Sequence, residues 1–180
     1  MDIGSIFSVD KVFTNEECDR IVREFSNKCR SSETVNKSNA RKSKHVFIEH
    51  NNETDWIYMR LASFASYFNN EKFKFNIDNK FQNLQFTKYD TGDYYTWHVD
   101  TGPSPDTCIR KLSISVQLSD PTRYTGGDLQ FGNVDEDLYT ASREKGSVTI
   151  FPSIVRHRGT PIKSGERYSI VAWGIGAPFQ

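Results

Sequence analysis

From residue 84 to residue 175 the chain breaks into short runs in which every second side chain is apolar. The clearest run is Leu112, Ile114, Val116 and Leu118, interleaved with Ser113, Ser115 and Gln117. Successive side chains of a strand point to opposite faces, so this run predicts a half-buried strand with a polar outer face. Residues 84–100, LQFTKYDTGDYYTWHVD, read as two strands joined in a hairpin at Asp90-Thr91-Gly92-Asp93. Gly126-Gly127 interrupts the pattern before 128–131, and Glu144-Lys145-Gly146 is a turn before a strand over 148–151. Runs over 155–159 and 167–173 close the series. So many short strands in sequence demand an antiparallel sandwich or open barrel.

The first part of the chain is different. A short strand fits residues 3–9, and Thr14 with Glu17 fits a capping box opening a helix that runs to about residue 29. Ile21, Val22 and Phe25 share one face of that helix. A second helix over 54–68 places Ile57, Leu61, Phe64, Ala65 and Phe68 at helical spacing. Residues 45–50 and 72–77 read as strands. Residues 31–44, SSETVNKSNARKSK, are polar and basic and predict a solvated connector; its length also suits a lid, as does the 101–107 segment, TGPSPDT. The expected organisation is one domain over 1–180, mainly β with flanking helices (α+β), with helical support over roughly 1–70 and a strand core over roughly 71–180.

Composition narrows the function. Lys plus Arg and Asp plus Glu each number 23, and no basic stripe stands out, so a nucleic-acid partner is not expected. Cys18, Cys29 and Cys108 have no metal-type spacing and read as reduced thiols. The first twenty residues lack a basic-then-apolar leader and no run reaches membrane-span length, so a cytoplasmic protein with no membrane partner is expected.

His98 and Asp100 lie two apart at the end of a predicted strand and project from one face. An imidazole beside a carboxylate is two-thirds of a 2-His-1-carboxylate iron site, which leaves coordination positions open. Of the four histidines only His157 follows the pair, and it supplies the third ligand. His45 and His50 face opposite ways on their strand and make a poor metal pair. Arg167 comes ten residues after His157, across a turn over 161–165, which puts the two on neighbouring strands. Arg167, Ser169, Val171 and Trp173 share one strand face; a guanidinium and a hydroxyl two apart suit a small dicarboxylate, and the Tyr89 phenol would reach the same group. The bland readings are an exposed His157 between two arginines, a solvated Arg167, and Trp173 as a core aromatic.

Taken in order, Tyr89, His98-x-Asp100, the 126–131 segment GGDLQF, Lys145-Gly146 before a strand ending in Phe151, His157, and a basic residue ten further on resemble the Fe(II)- and 2-oxoglutarate-dependent dioxygenases. The likeness is to the prolyl 4-hydroxylase-like branch and covers roughly residues 84–175; that branch often has lysine where this chain has Arg167. The resemblance implies a distorted double-stranded β-helix (jelly roll). It implies iron on His98, Asp100 and His157, and 2-oxoglutarate as co-substrate with its far carboxylate on Arg167, Tyr89 and Ser169. It implies hydroxylation of an unactivated C–H bond, coupled to decarboxylation of 2-oxoglutarate to succinate with O2, and ascorbate as a reductant. The expected substrate is a peptidyl prolyl residue of a peptide or protein, with another amino acid or a small molecule as the alternative. Tyr95, Trp97, Arg110, Arg158 and Trp173 are the candidate substrate contacts, and the chain is expected as a monomer or homodimer. Two other readings stay open: a jelly-roll binding module without catalysis, and a zinc hydrolase on the same three ligands.

Overall fold

Strand alternation decides the architecture, because two central strands have two differently buried faces. In a computed structural model residues 6–31, 39–78, 80–132 and 138–178 are described. Along the chain come β1 (Phe7–Val9), α1 (Asn15–Phe25), β2 (Arg30–Ser31), β3 (Arg41–Lys42), β4 (Lys44–Ile48) and α2 (Asp55–Phe68). Then follow β5 (Leu84–Tyr89), β6 (Tyr94–His98), α3 (Pro105–Cys108), β7 (Arg110–Gln117), β8 (Tyr124–Gly126), β9 (Leu129–Phe131) and β10 (Tyr139–Thr140). The chain closes with β11 (Val148–Pro152), β12 (His157–Gly159), β13 (Ile162–Gly165) and β14 (Arg167–Ile175).

Seven strands form the major sheet in the order β1-β11-β7-β14-β5-β4-β2; five form the minor sheet in the order β10-β9-β12-β6-β3; β13 and β8 pair separately. Every described pairing is antiparallel. One face of the major sheet packs on the helices. Phe86, Ile114, Val116, Ile170 and Ala172 are fully buried in one apolar cluster with Ile21 and Phe25 of α1 and Ile57, Leu61 and Ala65 of α2. The capping box forms as expected: Thr14 Oγ1 accepts from the Glu17 amide at 3.2 Å and the Thr14 amide donates to Glu17 Oε2 at 2.9 Å.

The expected polar outer face of β7 is not outer. Ser113 and Gln117 are as buried as the apolar residues between them, because their face looks into the space between the two sheets.

Four other local expectations are corrected. β5 and β6 do not pair; the segment between them carries the chain from the major to the minor sheet, and its Gly92 amide donates instead to Ile162 O. The turn expected at 161–165 is largely strand β13, paired with β8, so His157 and Arg167 sit in different sheets. The strand expected over 72–77 is absent: α2 runs on into a π-helical turn, Asn69–Phe73, which ends at Lys74 with φ +58°. There the Asn69 side chain holds both backbone polar groups of Phe75, and Phe73, Phe75 and Ile77 find apolar cover against the helical cluster without a ladder. Of the 31–44 connector, residues 32–38 lie outside the described residues, whereas Arg41–Lys42 pairs with β6 and Lys44 begins β4. Residues 3–5 of the expected first strand also lie outside the described residues. No helix among the described residues is long and apolar enough to cross a membrane.

Candidate metal centre and oxoacid pocket

His98 ends β6 and His157 begins β12, and the two residues face each other directly in the antiparallel ladder. Their rings come together, with centroids 4.1 Å apart. Asp100, just past β6, is buried below them. Its backbone amide donates to Ser153 O at 2.9 Å and its Oδ2 accepts from Ser113 Oγ at 2.6 Å. The Ser113 and Ser153 hydroxyls also bond each other at 2.9 Å, so Ser113 of the major sheet and Ser153, just past its strand β11, hold both the backbone and the carboxylate of Asp100.

Each histidine has one ring nitrogen spoken for. Nδ1 of His98 lies 2.7 Å from Thr96 O, and Nδ1 of His157 lies 2.9 Å from Val155 O. A carbonyl can only accept, so Nδ1 carries a proton in both rings and Nε2 is the nitrogen left to act as a ligand. Both Nε2 atoms face the carboxylate, 3.6 Å from Asp100 Oδ1 and Oδ2 respectively. That separation is too long for a hydrogen bond. It suits three donors converging on one ion, and among the described residues these three form the group able to hold a metal. Burial pushes the His157 imidazole down to about 4, so it is neutral at physiological pH, as a ligand must be. Burial would raise the Asp100 carboxyl, but His157, His98 and the Ser113 hydroxyl together hold it well below the usual range. Two imidazoles and a carboxylate, each already bonded behind, fit ferrous iron.

A cavity of about 230 Å³ extends from this cluster between the sheets. Arg167, Ser169, Val171 and Trp173 of β14 all line it, as their shared face requires. Arg167 is buried, lies opposite Tyr89 in the β14–β5 ladder, and has its guanidinium carbon 5.8 Å from the Tyr89 ring centre. Arg167 Nε donates to Gln117 Oε1 at 3.0 Å, and Gln117 Nε2 donates to the Tyr124 hydroxyl at 2.8 Å. Gly127, at φ +68°, permits this packing: a Cβ there would lie 2.3 Å from Ile162 Cδ1 and 3.2 Å from Arg167 Cδ. The cavity therefore runs from a metal-ligand cluster to a fixed cation, the layout a chelating dicarboxylate needs.

Tyr95, Arg110 and Trp173 line the same space. Tyr95 stacks on His98, with centroids 3.5 Å apart, and the Arg110 guanidinium lies 3.8 Å over the Trp173 ring. Trp97 and Arg158 are not among the lining residues; Arg158 lies over the Trp97 ring at 4.6 Å and donates twice to Gln130 Oε1. His157 is buried, not exposed between its flanking arginines. His50 instead pairs with Asp55 at 2.6 Å.

Sequence reasoning passed over Gln85, Gln117 and Arg41, all placed at the site. Gln117 had a signal: it continues the Ser113–Ser115 face. Arg41 had none, because the run around it shows no apolar alternation that would place it on a strand.

A model of the 2OG-Fe(II) oxygenase superfamily matches residues 84–174. A PKHD-type hydroxylase of Synechococcus sp. (strain CC9605) is 35% identical over 99 residues, covering 55% of this chain and 44% of its own length. The chain thus spans less than half the length of that curated relative. Among solved structures, the viral collagen prolyl hydroxylase of Paramecium Bursaria Chlorella virus-1, in its 2OG complex, superposes with a TM-score of 0.72 at 22% identity, covering 96% of this chain and 97% of that one. A Trichoplax adhaerens prolyl hydroxylase, in complex with a hypoxia inducible factor oxygen degradation domain peptide fragment, gives 0.78 at 14% identity over 97% and 84% of the two chains. The expected double-stranded β-helix is thereby the fold of this chain.

Proposed function

The chain belongs to the 2OG-Fe(II) oxygenase superfamily, and from that premise we propose that it is an Fe(II)- and 2-oxoglutarate-dependent hydroxylase. The observation that carries the reading is one cavity joining His98, Asp100 and His157 to Arg167. His98, Asp100 and His157 hold the ion through Nε2, a carboxylate oxygen and Nε2. Arg167 takes the far carboxylate of 2-oxoglutarate, with Tyr89 and Ser169 beside it; guanidinium and carboxylate match as a fork. When bound, iron and 2-oxoglutarate couple the conversion of 2-oxoglutarate and O2 to succinate and CO2 with insertion of the second oxygen atom into a C–H bond. The chain's own part is to orient the oxoacid, keep the His157 imidazole neutral and exclude water from a buried pocket.

The substrate of this reading is a prolyl residue of a peptide or protein. The Trichoplax adhaerens neighbour is described with a peptide bound, and the two relatives named as prolyl hydroxylases share this fold. In this reading Tyr95, Arg110 and Trp173 meet that residue inside the cavity, and Trp97 with Arg158 meet flanking chain outside it. Ascorbate would be the external reductant in this reading. The test is succinate release from 2-oxoglutarate under Fe(II) and O2. Release should fall to background in His98→Ala and Asp100→Ala, and turnover persisting in both variants would refute the site. Activity with Zn(II) in place of Fe(II), without O2, would favour a hydrolase.

A further inference from the structure

The cavity holds more positive charge than the proposed cofactors use. Its charged lining residues are Arg41, Arg110, Arg167 and Asp100. Ferrous iron and dianionic 2-oxoglutarate cancel each other, Asp100 offsets one guanidinium, and two remain. Arg167 is committed to the oxoacid and held by Gln117. Arg41 and Arg110 are the two left over.

Both have neutral partners among the described residues. Arg41 Nε donates to Ser43 Oγ at 2.8 Å, and its guanidinium lies 5.0 Å over the Tyr95 ring. Arg110 donates to Gln82 Oε1 at 2.8 Å and to the backbone carbonyl of Asp100 at 3.3 Å, and covers Trp173. The carboxylates that face Arg110 are those of Asp100, engaged by Ser113 and the histidines, and Asp106, on α3. A partly buried guanidinium with amide, carbonyl and aromatic partners retains its affinity for an anion. Trp173 lines the cavity beneath the Arg110 guanidinium and gives it an aromatic, uncharged floor.

We propose that the substrate presents a carboxylate to Arg41 and Arg110. The ligand then carries a carboxylate on, or directly beside, the residue that is oxidised. The inference rests on the oxygenase reading above. The carboxylate can be that of a free amino acid, of a peptide C-terminus, or of an acidic side chain next to the oxidised residue.

The experiment uses the full chain loaded with Fe(II) and 2-oxoglutarate and compares each probe as acid and as amide. The probes are free L-amino acids including proline, Xaa-Pro dipeptides with free or amidated C-termini, and internal prolyl peptides with Asp or Asn beside the proline. In at least one arm the acid should exceed its amide about tenfold or more in kcat/KM, since a site built for a polar group rejects the analogue lacking it. The arm that responds names the source. Arg41→Gln and Arg110→Gln should raise KM for the acid and erase the preference, with part of it restored in Arg41→Lys and Arg110→Lys. Tryptophan fluorescence of the Mn(II)- and 2-oxoglutarate-loaded protein without O2 should report the same acid-over-amide preference in binding. Amides equal to acids in every arm, in turnover and in binding, would overturn the proposal. Succinate released in the absence of any probe tests the oxygenase reading separately; its absence with every probe as well would remove both.

Discussion

The two faces of the major sheet are made by the same strands and do opposite work. On β14, Ile170 and Ala172 look toward the helices, whereas Arg167, Ser169, Val171 and Trp173 look into the cavity. On β7, Ile114 and Val116 join the helical cluster, whereas Ser113 and Gln117 bond Asp100 and Arg167. The apolar face is interchangeable chemistry held by packing density. The polar face is specific chemistry held by hydrogen bonds. Stability and activity should therefore separate by residue parity along a single strand.

The sharpest way to break that separation is to cut the helical face. Ile170→Ala should lower unfolding free energy by about 2–5 kcal/mol, the usual cost of truncating a buried isoleucine, while kcat/KM per folded molecule stays near wild type. A large fall in kcat/KM at full folding would show that the faces are coupled. Ser113→Ala, on the other face of β7, should weaken metal affinity by about 10–100-fold, the usual cost of losing a bond behind a ligand. Its melting temperature without metal should move little; anaerobic Fe(II) titration and a thermal melt measure the two effects. Arg167→Ala should raise the 2-oxoglutarate KM by about tenfold or more through loss of a charge-assisted bond, with Fe(II) affinity unchanged. Thr14→Ala, remote from both faces, removes one half of the helix cap and should cost about 1 kcal/mol with no kinetic effect.

What could be read in the chain beforehand follows the range of each signal. His98, Asp100 and the parity of residues 167–173 are set by neighbours two apart, so local alternation placed them correctly. Pairing is set by distant segments. The turn at Asp90–Asp93 looked like a hairpin because both flanks have strand composition, yet its backbone is claimed by Ile162. The alternation over 72–77 was genuine but recorded aromatic packing rather than a ladder. The serines of β7 carried no mark separating a wet face from a buried reactive one. Arg41 came to the cavity only because β3 zips onto β6, a contact that the charged connector does not announce.

The direct opposition of His98 and His157 across the β6–β12 ladder has a consequence for how the molecule reaches its native state. Slipping β12 by one residue would turn His157 outward and bring an arginine toward the metal position, since neighbouring side chains alternate between faces. Only one alignment of these strands can chelate. A divalent cation supplied during refolding should thus act as a proofreader, trapping the correctly threaded chain and leaving mis-zipped forms free to reopen.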